Sequence, residues 1–184
     1  MREHRSLTPA PTPTPWHFPV AVEDVAESGE RFELVADAEV RSAVARVAGL
    51  YDLPRLEANF EVRRHGAGGL HVTGRISARV GQTCVVTLEP LTNDVAEDVD
   101  LLFVPRSAVE QEGQSDASDA SWDETEPLIG GSIDLGAIAT EFLILGLDPY
   151  PRKPGAVFQP PPDAAVDEGP FAALAALKKD HDGR

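Results

Sequence analysis

Alternation with a period of two runs through the middle of the chain and limits what it can become. Leu56, Ala58, Phe60 and Val62 are apolar with polar residues between them. After the glycine-rich stretch "HGAGG" (65–69) the same rhythm returns at Leu70, Val72, Ile76, Ala78 and Val80. Successive side chains of a strand point to opposite faces, so each run buries one face and leaves the other wet. The glycine-rich stretch has the length and composition of a hairpin turn. Gly74 stands where the rhythm calls for an apolar side chain, which predicts a bulge or a close approach of neighbouring backbone. A third run, Val95, Val99, Leu101 and Phe103 with acids between, continues the pattern. Cys84, Val86 and Leu88 keep the phase of the second run. Cys84 is therefore expected to pack into the core from that strand, and "LEPL" to turn into the next one. Three strands with short connections make an antiparallel meander of the α+β class, either open or closed into a barrel, with helices on its apolar face.

Two segments supply those helices. In residues 37–48, Val40, Ala43, Val44 and Val47 form a stripe at three- and four-residue steps, with Asp37 as N-cap and Gly49 as terminator. In residues 131–151, Asp134 is the expected N-cap, and Ile133 with Ile138 occupy the positions of a hydrophobic staple. Leu135, Ile138, Ala139, Phe142 and Leu145 form the expected buried stripe, Glu141 lies off its centre, and Gly146 and Pro149 end it. "WHFPVAVEDV" (16–25) reads as a short entry strand, which Pro19 confines to a sheet edge or a strand end.

Composition marks the boundaries. Residues 1–15 are rich in proline and threonine and read as a flexible lead. A single α+β domain is expected over 16–150. Within it, residues 105–127 hold seven acids, one arginine and four serines, with few apolar side chains beyond Trp122. Such a segment buries too little to offset the entropy of ordering it, and reads as a long acidic, mobile loop. Residues 151–184 read as a proline-rich extended tail. It ends in a short helix at 170–180, where Phe171, Leu174 and Leu177 share one face; at about ten residues that helix is marginal alone and must dock or fray.

Charge narrows the partners. The net charge is −15, which argues against holding nucleic acid by bulk attraction. Its distribution is uneven: residues 41–80 carry seven arginines against three acids, whereas residues 81–150 carry one arginine against fifteen acids. Arg55, Arg63, Arg64, Arg75 and Arg79 lie on the first two strands with polar phase or at a strand end. They form a candidate face for RNA or another partner, since guanidinium suits phosphate and carboxylate. The competing reading pairs them with Glu97, Asp98 and Asp100 of the third strand.

The chemical candidates are few. One cysteine excludes an intramolecular disulfide and a zinc site built from several thiolates of this chain. Cys84 has no histidine in a recognisable catalytic arrangement, and no phosphate-binding loop or nucleophile elbow is present. No catalytic residue, metal, cofactor or small-molecule substrate is expected. The chain has no signal-type apolar run and no stretch long enough to span a membrane, so a cytoplasmic protein is expected.

"TCVVTLEPL", an alternating strand ending "LLFVP", an acidic loop, "IDLGAIATEFLILGLDPYP" and the closing "PFAALAALKKD" together resemble the YceD family. These are large ribosomal RNA subunit accumulation proteins, and the resemblance covers about residues 16–180. It implies a non-enzymatic part in the processing, stability or assembly of 23S ribosomal RNA into the large subunit. The implied partners are precursor 23S RNA, large-subunit ribosomal proteins, or both. An acidic adaptor or chaperone that binds basic ribosomal proteins without touching RNA is the alternative. The family-motif positions are Cys84, Leu88, Glu89, Pro90, Asp134, Leu135 and Glu141. Many members carry a Cys-x-x-Cys at this segment; here the second position is Thr87, so a metal or redox role for the pair does not carry over.

Overall fold

The hairpin read from "HGAGG" organises the molecule. The computed structural model describes residues 14–105 and 125–158. Its strands are β1 (Pro19–Ala21), β2 (Glu30–Val35), β3 (Asp52–His65), β4 (Gly69–Thr83), β5 (Pro90–Pro105), β6 (Thr125–Leu128) and β7 (Ser132–Asp134). Two α-helices, α1 (Ala38–Val47) and α2 (Leu135–Leu145), complete the set. The main sheet has the order β2-β3-β4-β5-β6, antiparallel except for the β5–β6 pair, which is parallel. β2 and β6 are its two edges, so the sheet stays open and does not form a barrel. Of the segments expected at 1–15, 105–127 and 151–184, residues 1–13, 106–124 and 159–184, with Trp122 and the 170–180 helix, lie outside the described residues, and Pro105 belongs to β5.

Register sets the core. Leu56, Ala58, Phe60 and Val62 of β3 and Leu70, Val72, Ile76, Ala78 and Val80 of β4 are all buried, as the alternation requires. They join Val44 and Ala45 of α1 and Leu135, Ile138, Ala139 and Leu143 of α2 in one cluster, so both helices cover the same face. Gly74 pairs without a break between Phe60 and Val99. It marks close approach and no bulge: a Cβ there would stand 2.6 Å from the Phe60 ring. The irregularity in the β3–β4 ladder falls between Asp52 and Arg55, where Pro54 has no N–H to give.

Several elements depart from the sequence reading. β2 has only Phe32 and Leu34 facing inward, too short an alternation to stand out, and is recruited by pairing with β3. β1 is the expected short entry strand with Pro19 at its end, but its partner β7 was not foreseen: the two form a separate two-stranded sheet at the start of α2. Residues 125–127, placed in the acidic loop, belong to β6. On α1, Val47 is exposed and Ala45 buried, because the stripe turns toward Val40, Val44 and Ala48. On α2, Leu145 is exposed and Leu143 buried. That helix is apolar on most sides, so its own period cannot choose the face. A close contact fixes it instead: a Cβ on Gly136 would lie 2.6 Å from the Trp16 carbonyl oxygen, and the buried Thr140 hydroxyl is satisfied within the helix by the Gly136 carbonyl at 2.9 Å.

Candidate functional site

The cysteine segment is where the structure most revises the sequence. β4 ends at Thr83, one residue before Cys84. The Cys84 N–H then donates to the Glu89 carbonyl and the Leu88 N–H to the Cys84 carbonyl, both at 2.9 Å, closing a tight loop before Pro90 opens β5. Cys84 is fully buried, yet it is not part of the core cluster. Its Sγ instead accepts the backbone N–H groups of Thr87 and Lys153, each at 3.4 Å. The expectation that it is buried holds, but not the expectation that a strand carries it there: it lies one residue past β4 and braces a turn.

The same turn binds the chain that follows α2. The Val85 N–H donates to the Pro151 carbonyl at 2.9 Å, Gln82 Nε2 to the Asp148 carbonyl at 2.9 Å, and Lys153 Nζ to Glu89 Oε2 at 3.0 Å. Hydrogen bonds to the sulfur draw the Cys84 pKa down to about 6 against the opposing effect of burial. The Thr87 hydroxyl contributes most, followed by the N–H groups of Lys153, Thr87 and Val86. That hydroxyl has one proton and donates it to Glu89 Oε2 at 3.2 Å, so Glu89 and the sulfur compete for it. The Glu89 carboxyl is held below its usual pKa, chiefly by the Lys153 hydrogen bond and then by Thr87.

Leu88 is the consequence of this bracing. Expected in phase with the core, it is 77% exposed and sits at φ 60°. A left-handed conformation costs a non-glycine residue about 1–2 kcal/mol. The turn thus spends backbone strain on holding a leucine in water, the kind of outlier that points to function. Val85, Leu145 and Tyr150 are also exposed, on the segments that these hydrogen bonds join.

The arginines behave differently. Arg55, Arg63, Arg75 and Arg79 share the outer face of the sheet, and each has a carboxylate. Arg75 lies opposite Asp98 in the ladder and bonds it at 2.7 Å; Arg79 lies opposite Asp94 and bonds it at 3.1 and 3.2 Å. Arg63 bonds Glu61 at 2.6 and 3.0 Å, and Arg55 stands 3.8 Å from Glu57. The Arg63 hydrogen bond and charge hold the Glu61 carboxyl below its usual pKa. His71 adds a contact to Asp100 at 2.6 Å. Arg64 is not on this face. It pairs with Leu70 on the buried parity, and its guanidinium donates to the Val25 and Glu23 carbonyls at 2.6 and 3.1 Å, tying down the turn after β1. The expected partners were Glu97, Asp98 and Asp100; the arginines take Asp98 from that set, together with Asp94.

A family model described as "Large ribosomal RNA subunit accumulation protein YceD" matches residues 72–178, more than half of the chain. The chain belongs to the YceD family. No curated protein and no solved structure matches it. The YceD match takes in β4 from Val72, the braced turn, β5, β6, β7 and α2, whereas Arg55, Arg63 and Arg64 fall before it.

Within the YceD match, Asp134 has the clearest structural task. Its Oδ1 accepts the N–H of Ala137 at 3.0 Å, as an N-cap, and that of Phe18 at 2.9 Å, while its Oδ2 meets His17 Nδ1 at 2.7 Å. Partial burial pushes this carboxyl's pKa up, but the Phe18, His17 and Ala137 hydrogen bonds together hold it below its usual value. Leu135 is fully buried beneath the cap. Glu141 is exposed on α2, beside a groove lined by Leu101, Phe103 and Phe142. Sequence reasoning missed Lys153 and Pro151, whose bond to the turn spans more than sixty residues and leaves no local signal. Among the described residues, no group of three or more histidine, cysteine or acidic side chains is placed to hold a metal, and no helix is long and apolar enough to cross a membrane.

Proposed function

We propose that this chain is a non-enzymatic cytoplasmic factor that supports the accumulation of 23S ribosomal RNA by binding a basic protein of the large subunit. The observation that carries this reading is the braced Cys84–Pro90 turn, inside the YceD match, which holds Leu88 out at a cost in strain. Its surroundings set the partner's charge. The described residues 81–105 and 125–150 hold nine acids and neither lysine nor arginine. An exposed leucine in a negative field favours a lysine- or arginine-rich segment with apolar side chains and repels phosphate. Direct RNA contact through Arg55, Arg63, Arg75 and Arg79 is the weaker mode, because each guanidinium already faces a carboxylate.

The test is the ratio of 23S to 16S RNA in cells depleted of the protein and supplied with variants. Wild type, the double variant Arg75→Ala/Arg79→Ala and Cys84→Ser should restore the ratio. Leu88→Asp, folded by circular dichroism, should not. Restoration by Leu88→Asp but not by the arginine double variant would transfer the function to RNA contact. Failure of a folded Cys84→Ser would reopen chemistry at the thiol, and a ratio unaffected by depletion would end the reading.

A further inference from the structure

α2 and the β5–β6 edge leave an open groove of about 290 Å³ between them. Its floor is apolar, formed by Leu101, Phe103, Ile138 and Phe142, and Ile129 stands 70% exposed at its side. Its rim carries Glu126 and Glu141. Large apolar side chains left open beside a core normally await a cover.

Three stretches of this chain lie outside the described residues, and their sequences differ in what they can offer. Residues 1–13 hold Met1 and Leu7 among prolines and threonines, with no apolar stripe. Residues 106–124 carry six acids, which the acidic rim repels. Residues 170–180, "PFAALAALKKD", place Phe171, Leu174 and Leu177 at helical spacing and follow them with Lys178 and Lys179. Apolar stripe matches apolar floor, and the two lysines match Glu126 and Glu141.

Reach permits the match. The described chain ends at Phe158, past the C-terminal end of α2, and eleven residues separate it from Pro170. Extended, these span up to about 36 Å, against about 16 Å for the length of α2. The YceD match also runs to residue 178, so it includes both walls of the groove and the apolar positions of this segment.

We propose that residues 170–180 dock in this groove of their own chain, with Phe171, Leu174 and Leu177 on its floor and the lysines against Glu126 and Glu141. The segment is then the outer cover of α2 and completes the apolar layer over the β5–β6 edge.

Hydrogen exchange on the full-length protein tests this, with the variants Leu174→Asp and Ile129→Asp, the latter altering an exposed side chain that the fold does not need. Both should increase exchange in residues 125–142 and 170–178 together. Each should lower Tm by roughly 2–4 °C, with sedimentation showing a monomer throughout. Unchanged exchange at 125–142 in Leu174→Asp would overturn the proposal. So would protection that depends on protein concentration and is lost with a dimer, since the occupant would then be a second copy.

Discussion

Asp134→Ala removes three hydrogen bonds at once, and the structure says how much each is worth. Loss of the N-cap to Ala137 costs about 1 kcal/mol. Loss of the acceptor for the Phe18 N–H costs about another 0.5–1.5 kcal/mol, that group being near the surface and open to water. His17 is 62% exposed, so its ion pair adds at most about 1 kcal/mol. The expected total is about 2–3 kcal/mol. Asp134→Asn keeps an oxygen for both N–H groups, gives up the charge, and should cost less than about 1 kcal/mol. It also controls for the relief of self-repulsion in a chain of net charge −15. Urea unfolding followed by circular dichroism measures both, with an unchanged slope showing that the unfolded state is the same. Because the folded carboxyl has a lowered pKa, the charge-dependent part of its contribution is full above the unfolded value and disappears as pH falls through the folded one. Asp134→Ala should therefore cost less in acid than at neutral pH, by about the cost of Asp134→Asn, because the protonated carboxyl still offers an oxygen to both N–H groups. Equal costs for Ala and Asn, or a loss below 0.5 kcal/mol for Ala at neutral pH, a threshold set at the low end of cap energies, would refute the capping argument.

Other consequences follow from the turn and the sheet. The Cys84 thiol should titrate near pH 6, read as thiolate ultraviolet absorption absent from Cys84→Ser, and Thr87→Val should move the midpoint up. Between that value and the ordinary 9.0 the unfolded chain holds a proton that the folded chain has released, so this thiol's contribution to stability grows with pH across that window and is absent below it. Leu88→Gly relieves the left-handed strain, less the extra freedom glycine has when unfolded, and should raise stability by up to about 1 kcal/mol in denaturant titration. Gly74→Ala sets a methyl against the Asn59 carbonyl and the Phe60 ring and should cost about 1–3 kcal/mol by the same measurement.

The long central strands were legible because one face of each turns to the core, which prints a clear period of two on β3 and β4 and a weaker one on β5, where Val95 and Val99 alone are buried. Asp134 and its staple were legible because a helix start is a local event. β2, β6 and β7 were not, since strands of three to six residues carry too few apolar positions and exist by pairing with a longer neighbour. The end of β4 was hidden for a different reason. Cys84, Val86 and Leu88 continue the apolar phase, but hydrogen bonds to the Glu89 and Pro151 carbonyls and from the Lys153 N–H fold the backbone into a turn that side-chain periodicity does not record. Four of the five arginines could be placed on one face from phase, Arg64 being on the other parity; their neutralisation needed register, which sets Arg75 across from Asp98 and Arg79 across from Asp94.

The parallel pairing of β5 and β6 has a consequence for how freely this protein can change. Leu102 faces Thr125, so the chain leaving Pro105 re-enters only three residues back along the adjacent strand. That gap is about 11 Å, from the rise per residue and the spacing of neighbouring strands. Five residues could span that distance end to end, but parallel neighbours ordinarily need a connection of about a dozen residues or more. Nineteen stand between Pro105 and Thr125. The sheet thus sets a floor on that length, and removing more than about seven of them should unpair β6 and leave β5 as the edge.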